Sequence, residues 1–396
     1  MKKTARIFLW IMLIALSVSG CAVKDSIDDS DTYIFGQDSQ ETFMRYQYFQ
    51  RVAESEDAYY FLSGENQFAY IIDKASHICR PLCNKSNCLH DKETSYAKKQ
   101  ECNAFLGATE GGLIFYKNHL YYKDYTEITD KDGVRHPTHE IQRLSLDGTK
   151  RDAVYSTSEG VIWDFKIHRG YIYFTATMYE GDNFSASGEN QSLYRISVDG
   201  KGEPEEVIPL YEYENTNIMD TRYYGNHIFL YIDHFTGDEE NTDQYLLRYD
   251  IETGEQTNIS KNLKTNTGSL FTIFNGKIVF ANKHKIYSCD LNGENEQEIL
   301  DCDEILPGFE YYTPLTNDGV HIIVSPGDND RQSDELIIID SEGKAEVKKM
   351  PFAFSAYMGC NEDTFIVFKN NTDEEKQTVY IINKNDFSAE EAYVFE

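Results

Sequence analysis

The sequence predicts an all-β protein, and within that class a β-propeller of seven four-stranded blades. Three observations carry this prediction. The 396 residues include 29 Tyr and 23 Phe but only 8 Pro, and Tyr and Phe favour strands. Long stretches of helical periodicity are few. A unit of four short strands recurs along the chain at the spacing of a propeller blade.

The clearest part of the unit is its third strand, which ends in Asp before a tight turn and a fourth strand. It reads "FAYIIDKASH" (68–77), "IQRLSLDGTK" (141–150), "LYRISVDGKG" (193–202), "LLRYDIETGE" (246–255), "IYSCDLNGEN" (286–295), "LIIIDSEGKA" (336–345) and "VYIINKNDFS" (379–388). Alternating apolar and polar residues around Asp-Gly or Asn-Gly are a hairpin signal. The markers Asp73, Asp147, Asp199, Asp250, Asp290, Asp340 and Asn383 lie 40 to 52 residues apart, except for a first gap of 74. That gap holds a cysteine-rich stretch. The first strand of blade 1 is expected at "FMRYQYFQRV" (43–52) and the last strand of blade 7 at "EAYVFE" (391–396).

Before the repeats, Lys2, Lys3 and Arg6 precede "IFLWIMLIALSVSG" (7–20), an apolar run of signal-peptide length. It is shorter than the ~20 residues of a membrane span. "LSVSGC" (16–21) resembles a bacterial lipobox, which implies cleavage after residue 20 and a lipid on Cys21. Such a lipid anchors without spanning and sets the location at the extracytoplasmic face of the cell membrane. Residues 21–41 are polar and acidic and read as a flexible tether. A single propeller domain is expected over 42–396.

The formal charge is −30. Removing Lys2, Lys3 and Arg6 makes it −33. Such a charge argues against nucleic acid, which requires clustered cations, and against broad contact with anionic lipid headgroups. It suits cationic, metal-bearing or neutral sugar ligands.

The cysteine stretch, 79–105, contains Cys83, Cys88, His90 and Cys102. Three thiolates and an imidazole complete a closed tetrahedral zinc site, which would staple an insertion with little core of its own. One structural zinc is therefore a candidate cofactor. Outside the membrane thiols can oxidise, so disulfides compete, and free thiols remain open too. Cys79 and Cys83 share a strand ~13 Å apart and cannot bridge each other. Cys289, Cys302 and Cys360 read as small buried apolar residues.

The repeats, together with "LCNKSNCLH" (82–90) and "CNAF" (102–105), resemble the β-propeller lipoproteins of unassigned function of Gram-positive bacteria. More loosely, they resemble the propeller of low-density-lipoprotein-receptor-related proteins. Cys79 departs from that pattern. The resemblance implies a fold and a location, not a reaction.

Turns between first and second strands are tight, as are those between third and fourth. Loops between second and third strands are often long, as at 125–138, 180–190, 236–243, 327–333 and 371–376. In a four-stranded blade these loops share a face with the links between blades. The cysteine stretch reads as one such link, so the long segments converge on one face, where binding residues are expected. Candidate contacts are Tyr125, His136, His139, Asp182, Phe184, His234, Phe235, Asp328, Asp330 and Arg331, a mix suited to a glycan, peptide or protein partner. Asp328, Asp330 and Asp334 offer hard-cation oxygens without a full calcium loop. No nucleophile elbow, zincin helix, phosphate loop or dinucleotide fingerprint is present, and "GVRHPTHE" (133–140) lies on an expected loop. The expectation is a non-enzymatic binding or scaffold protein. The alternative is a glycan hydrolase or lyase, which needs two carboxylates across a cleft.

Overall fold

The computed structural model describes residues 34, 36–39, 52–62, 67–107, 112–129, 135–178, 191–209, 216–235, 242–265, 271–328, 333–353, 357–361, 363–371 and 376–395. They form seven antiparallel sheets, each of four strands consecutive in the chain. Blade 1 holds Val52–Glu54, Ala58–Leu62, Ala69–Asp73 and Cys79–Pro81. Blade 7 holds Tyr357–Cys360, Thr364–Asn371, Lys376–Asn383 and Ala389–Phe395 and packs back against blade 1. This is the seven-bladed propeller that the repeat predicts. The expected first strand, 43–52, falls outside the described residues except at Val52.

The core lies between blades. One cluster joins Ile114, Tyr121 and Ile141 of blade 2 to Ile162, Phe165 and Phe174 of blade 3. Sheets covered on both faces carry near-continuous apolar strands, and all five residues of Ala58–Leu62 are buried.

The repeated Asp has one role throughout. Its carboxylate accepts from backbone N–H groups two to four residues on: Asp147 from Thr149 at 3.0 Å, Asp250 from Thr253 at 2.7 Å, Asp340 from Glu342 at 2.9 Å. Asp73, Asp199 and Asp290 do the same, and the Asn383 amide oxygen takes their place in blade 7. These Asx-type caps fix the turn between third and fourth strands.

The antiparallel order puts both kinds of tight turn on one face and the second-to-third loops on the other. Three features differ from the sequence reading. In blade 2 the expected loop 125–138 is mostly strand, because His119–Thr129 and Arg135–Ser145 pair from end to end, with Thr129 opposite Arg135. β-branched and aromatic residues in "YTEIT" sustain the pairing, so a hairpin projects where a loop was expected.

The cysteine stretch lies between the last strand of blade 1 and the first of blade 2, as expected, but it folds back on blade 1. Leu82 N–H donates to Ala69 O, Ala69 N–H to Ala104 O, and Leu106 N–H to Gln67 O, while Phe68 bridges Phe105 antiparallel. Residues 79–82 and 104–106 thus form two halves of one outer edge on the third strand of blade 1. Residues 83–103 are an insertion between those halves, at the outer edge of blade 1.

A piece of the expected tether is docked. Asp38 and Ser39 are buried. Asp38 Oδ1 accepts from Arg169 Nε at 2.8 Å, Gln37 O accepts from Arg169 N–H at 2.7 Å, and Ser39 N–H donates to His168 Nδ1 at 3.2 Å. His168 Nε2 lies 2.7 Å from Gly225 O and Arg169 Nη1 donates to Asn226 Oδ1 at 2.9 Å. A carbonyl only accepts, so the imidazole carries its proton on Nε2. The segment sits against the tight first-to-second turns of blades 3 and 4.

Candidate metal centre

The insertion brings Cys83, Cys88, His90 and Cys102 together, with one ligand atom from each all within 4.8 Å of one another. These are the four residues read from the sequence. Cys83 directly follows the first half of the broken outer strand. Cys88 follows a tight turn in which its N–H donates to Lys85 O. His90 stands at φ 55°, a left-handed conformation that costs a non-glycine residue ~1–2 kcal/mol and turns its ring back toward the thiols. The short helix Tyr96–Lys99 delivers Cys102, whose N–H donates to Lys99 O at 2.9 Å.

The spacing suits a tetrahedral ion. Zinc with sulfur at ~2.3 Å and nitrogen at ~2.0–2.1 Å separates the two by ~3.5 Å, and Cys102 Sγ lies 3.6 Å from His90 Nδ1. Burial pushes the Cys83 thiol up, but N–H groups of Lys85 and Asn103 and the Cys102 and Cys88 thiols outweigh it and hold Cys83 below its ordinary value. Cys102 is pushed up to about 12 by burial and by the neighbouring Cys88 and Cys83 sulfurs. Adjacent thiolates repel one another, and a divalent cation removes that repulsion. Four protein ligands leave no position open, so the set can hold a metal but not present it to a substrate.

Cys79, Cys83, Cys88, Cys102, Cys289 and Cys302 are all free thiols. Cys79 stands apart from the cluster, and burial and then Asp91 push it up to about 12. Cys289 and Cys302 are buried in the core, as expected. Of Cys360 only the strand position is described.

The expected contact residues separate. Tyr125 and His139 pair directly across the blade 2 hairpin with ring centroids 5.3 Å apart. His136 lies on the same hairpin opposite Ile128. His234 and Phe235 end the second strand of blade 4, opposite Asp243 and Thr242. Asp328 is half-buried beyond the second strand of blade 6. Asp182, Phe184, Asp330 and Arg331 lie outside the described residues.

Sequence reasoning missed a charged band on the inner strands. Blades 3 and 4 each bulge, at Trp163 and Met219, immediately before an aspartate. Asp164 and Asp220 then precede Lys166 and Arg222 by two residues. Arg222 Nη2 lies 3.0 Å from Asp220 Oδ2, and Lys123 Nζ donates to Ile162 O at 2.9 Å. Burial raises Asp164 above the usual carboxylate range, opposed by Lys166, Lys123 and Arg222. "DFK" and "DTR" at matching positions before the turn were the available signal. Elsewhere, Asp124 faces Glu140 across the blade 2 hairpin and is raised first by burial and also by Glu140.

No known protein family matches the chain, and no curated protein matches it. Solved structures with a similar fold include TolB from Acinetobacter baumannii, 11% identical over 87% of this chain and 79% of that one, at a TM-score of 0.41. An oligogalacturonate lyase in complex with manganese is 12% identical over 74% and 73%, at 0.42. The β-propeller domain of the Trilobed protease from Pyrococcus furiosus is 10% identical over 89% and 97%, at 0.47. Among the described residues no helix is long and apolar enough to cross a membrane. The apolar run 7–20 lies outside them.

Proposed function

We propose that the chain is a lipid-anchored extracytoplasmic propeller that binds a glycan, peptide or protein partner through its long-loop face. The observation that carries this reading is the docking of Ile34 and Gly36–Ser39 on the opposite face. With the lipid on Cys21, thirteen residues link the anchor to Ile34 and span at most ~45 Å. The docked segment lies against the tight turns of blades 3 and 4, which supports an orientation with those turns toward the membrane and the hairpins outward. A rigid ring displaying hairpin ends is a binding platform, and the blade 2 hairpin offers the Tyr125–His139 pair there.

The Cys/His cluster is proposed as a closed zinc site with a structural role. Its sulfur-to-nitrogen spacing and the convergence of an imidazole with three thiols favour it over two disulfides. Glycan cleavage is less well supported. Asp164, the raised inner carboxylate, has cations beside it, and the Asp124–Glu140 pair lies on the second and third strands of blade 2.

The test is protein starting at Val23, probed on glycan and peptide arrays and by turnover of oligosaccharides. Saturable binding that falls at least tenfold in Tyr125→Ala is expected. Turnover without retained ligand, or binding that survives removal of the blade 2 hairpin tip, overturns the reading. Anchoring is tested separately: Cys21→Ala should release the chain from the membrane fraction into the medium.

A further inference from the structure

The joint between blades 7 and 1 differs from the other six. The chain runs on across each of those six, whereas here the first blade meets the last. Among the described residues every sheet is built of consecutive strands, so none of them is shared across this joint. Side chains from both blades meet there. At its inner edge Asn361 Nδ2 donates to Glu54 Oε1 at 2.9 Å and to Tyr59 Oη at 2.5 Å. In its middle Phe61 packs on Phe368 at 5.4 Å and Tyr70 on Phe395 at 5.1 Å. At its outer edge His77 Nδ1 lies 2.7 Å from Glu390 Oε2.

The insertion supplies one further bond. Asp91 Oδ2 accepts from the Tyr70 hydroxyl of blade 1 at 2.9 Å and from the Tyr393 hydroxyl of blade 7. One carboxylate oxygen thus ties the third strand of the first blade to the outer strand of the last. Burial, followed by Asp91, raises both phenols, so both stay protonated and donate. Asp91 directly follows the candidate ligand His90, in a segment where Cys83 and Cys102 are buried but His90–Lys92 has no buried residue. Such a segment has little apolar packing to hold it, and a metal bond at His90 would fix its backbone.

We propose that the metal centre is a ring clasp. By fixing His90, the bound zinc holds Asp91 where it joins Tyr70 to Tyr393 and closes the propeller at the joint between its first and last blades. The proposal rests on the zinc reading above and adds what the zinc does.

The experiment follows amide hydrogen exchange across the whole chain from Val23, with zinc per chain measured on the same samples. Zinc removal should speed exchange about tenfold in Ala389–Phe395 and Ala69–Asp73, with the third strands of blades 4 and 5 unchanged, because a hydrogen bond to a charged group is lost. Asp91→Ala, which removes the acceptor oxygens, should keep its zinc and show the same loosening. Tyr393→Phe should loosen Ala389–Phe395 alone and serves should Asp91→Ala fail to fold. Zinc retained in Asp91→Ala or Tyr393→Phe with exchange at Ala389–Phe395 unchanged overturns the clasp and leaves the zinc site standing. Absence of bound zinc in the unaltered protein overturns both.

Discussion

Blades 3 and 4 are neighbours in the chain, whereas blades 7 and 1 are not, and the two joints are braced by opposite chemistry. At the first, a segment from ahead of the blades inserts a buried carboxylate, Asp38, against Arg169, which also donates to Asn226 of the next blade. At the second, aromatic rings and hydroxyls meet, with Asp91 reaching in from the insertion. A buried ion pair contributes little net stability, since desolvation cancels most of its attraction, but it specifies position. Stacked and edge-on rings contribute strength through buried area. The joint that the chain already secures thus receives a device for placement, and the joint it does not secure receives one for cohesion.

The largest effect should come from the metal centre. Structural zinc binding is worth on the order of 10 kcal/mol, so Cys102→Ser should abolish zinc retention and unfold 84–103. Limited trypsin digestion should then cut at Lys85, Lys92, Lys98 and Lys99, sites that resist in the unaltered protein. Equal resistance in both forms would separate the insertion's fold from its metal.

At the opposing joint, Asp38→Ala strips a buried guanidinium of its carboxylate, a loss of ~3–5 kcal/mol when the partner charge stays buried. Undocking of the segment would let water reach Arg169 and limit the loss. Urea denaturation should show a drop of up to about 3 kcal/mol, and Arg169→Leu in the Asp38→Ala background should recover part of it. A full and equal loss in both variants would mean that the brace carries strength after all.

These joints also show what was legible in the chain. The blade count was readable because each Asp caps a turn that recurs at blade spacing. The four metal ligands were readable because three cysteines and a histidine within twenty residues have few other uses. The place of the insertion was not, since pairing of 104–106 with 67–69 is a tertiary fact without local pattern. The docked Asp38 was hidden for a similar reason. An acidic, apolar-poor stretch reads as tether, and only the turn "HRGY" (168–171), far along the chain, gives its aspartate a partner. The hairpin over 119–145 was missed because 125–138 was read as one long loop, whereas the third strand starts at Arg135 and tolerates Pro137 near its start.

A smaller effect is expected where blade 2 leans on blade 1. Gly148 stands at φ +73°, and a Cβ there would meet Leu82 O at 2.4 Å. Gly148→Ala should destabilise by ~1–3 kcal/mol through strain and clash, read as a lower urea midpoint with an unchanged slope. Gly36, at φ +78° with open space around a Cβ, is the control. Gly36→Ala carries the backbone strain alone and should lose less.

The smallest effect separates the turn caps from both braces. Asp147 accepts from the Ser145 hydroxyl and from the backbone N–H and hydroxyl of Thr149, and these bonds, that of Ser145 first, lower it to about 2. A carboxyl lowered on folding stabilises the protein while it is ionised. That contribution is complete above the unfolded value of ~3.9 and fades as pH falls toward about 2. Asp147→Asn, which keeps the acceptor oxygen but cannot titrate, should therefore flatten the fall in midpoint temperature between about pH 4 and pH 2 and leave neutral-pH stability nearly unchanged. An acid profile identical to that of the unaltered protein would assign the acid loss to other carboxylates. The turn would then depend on the shape of its cap alone, as Asn383 already suggests for blade 7.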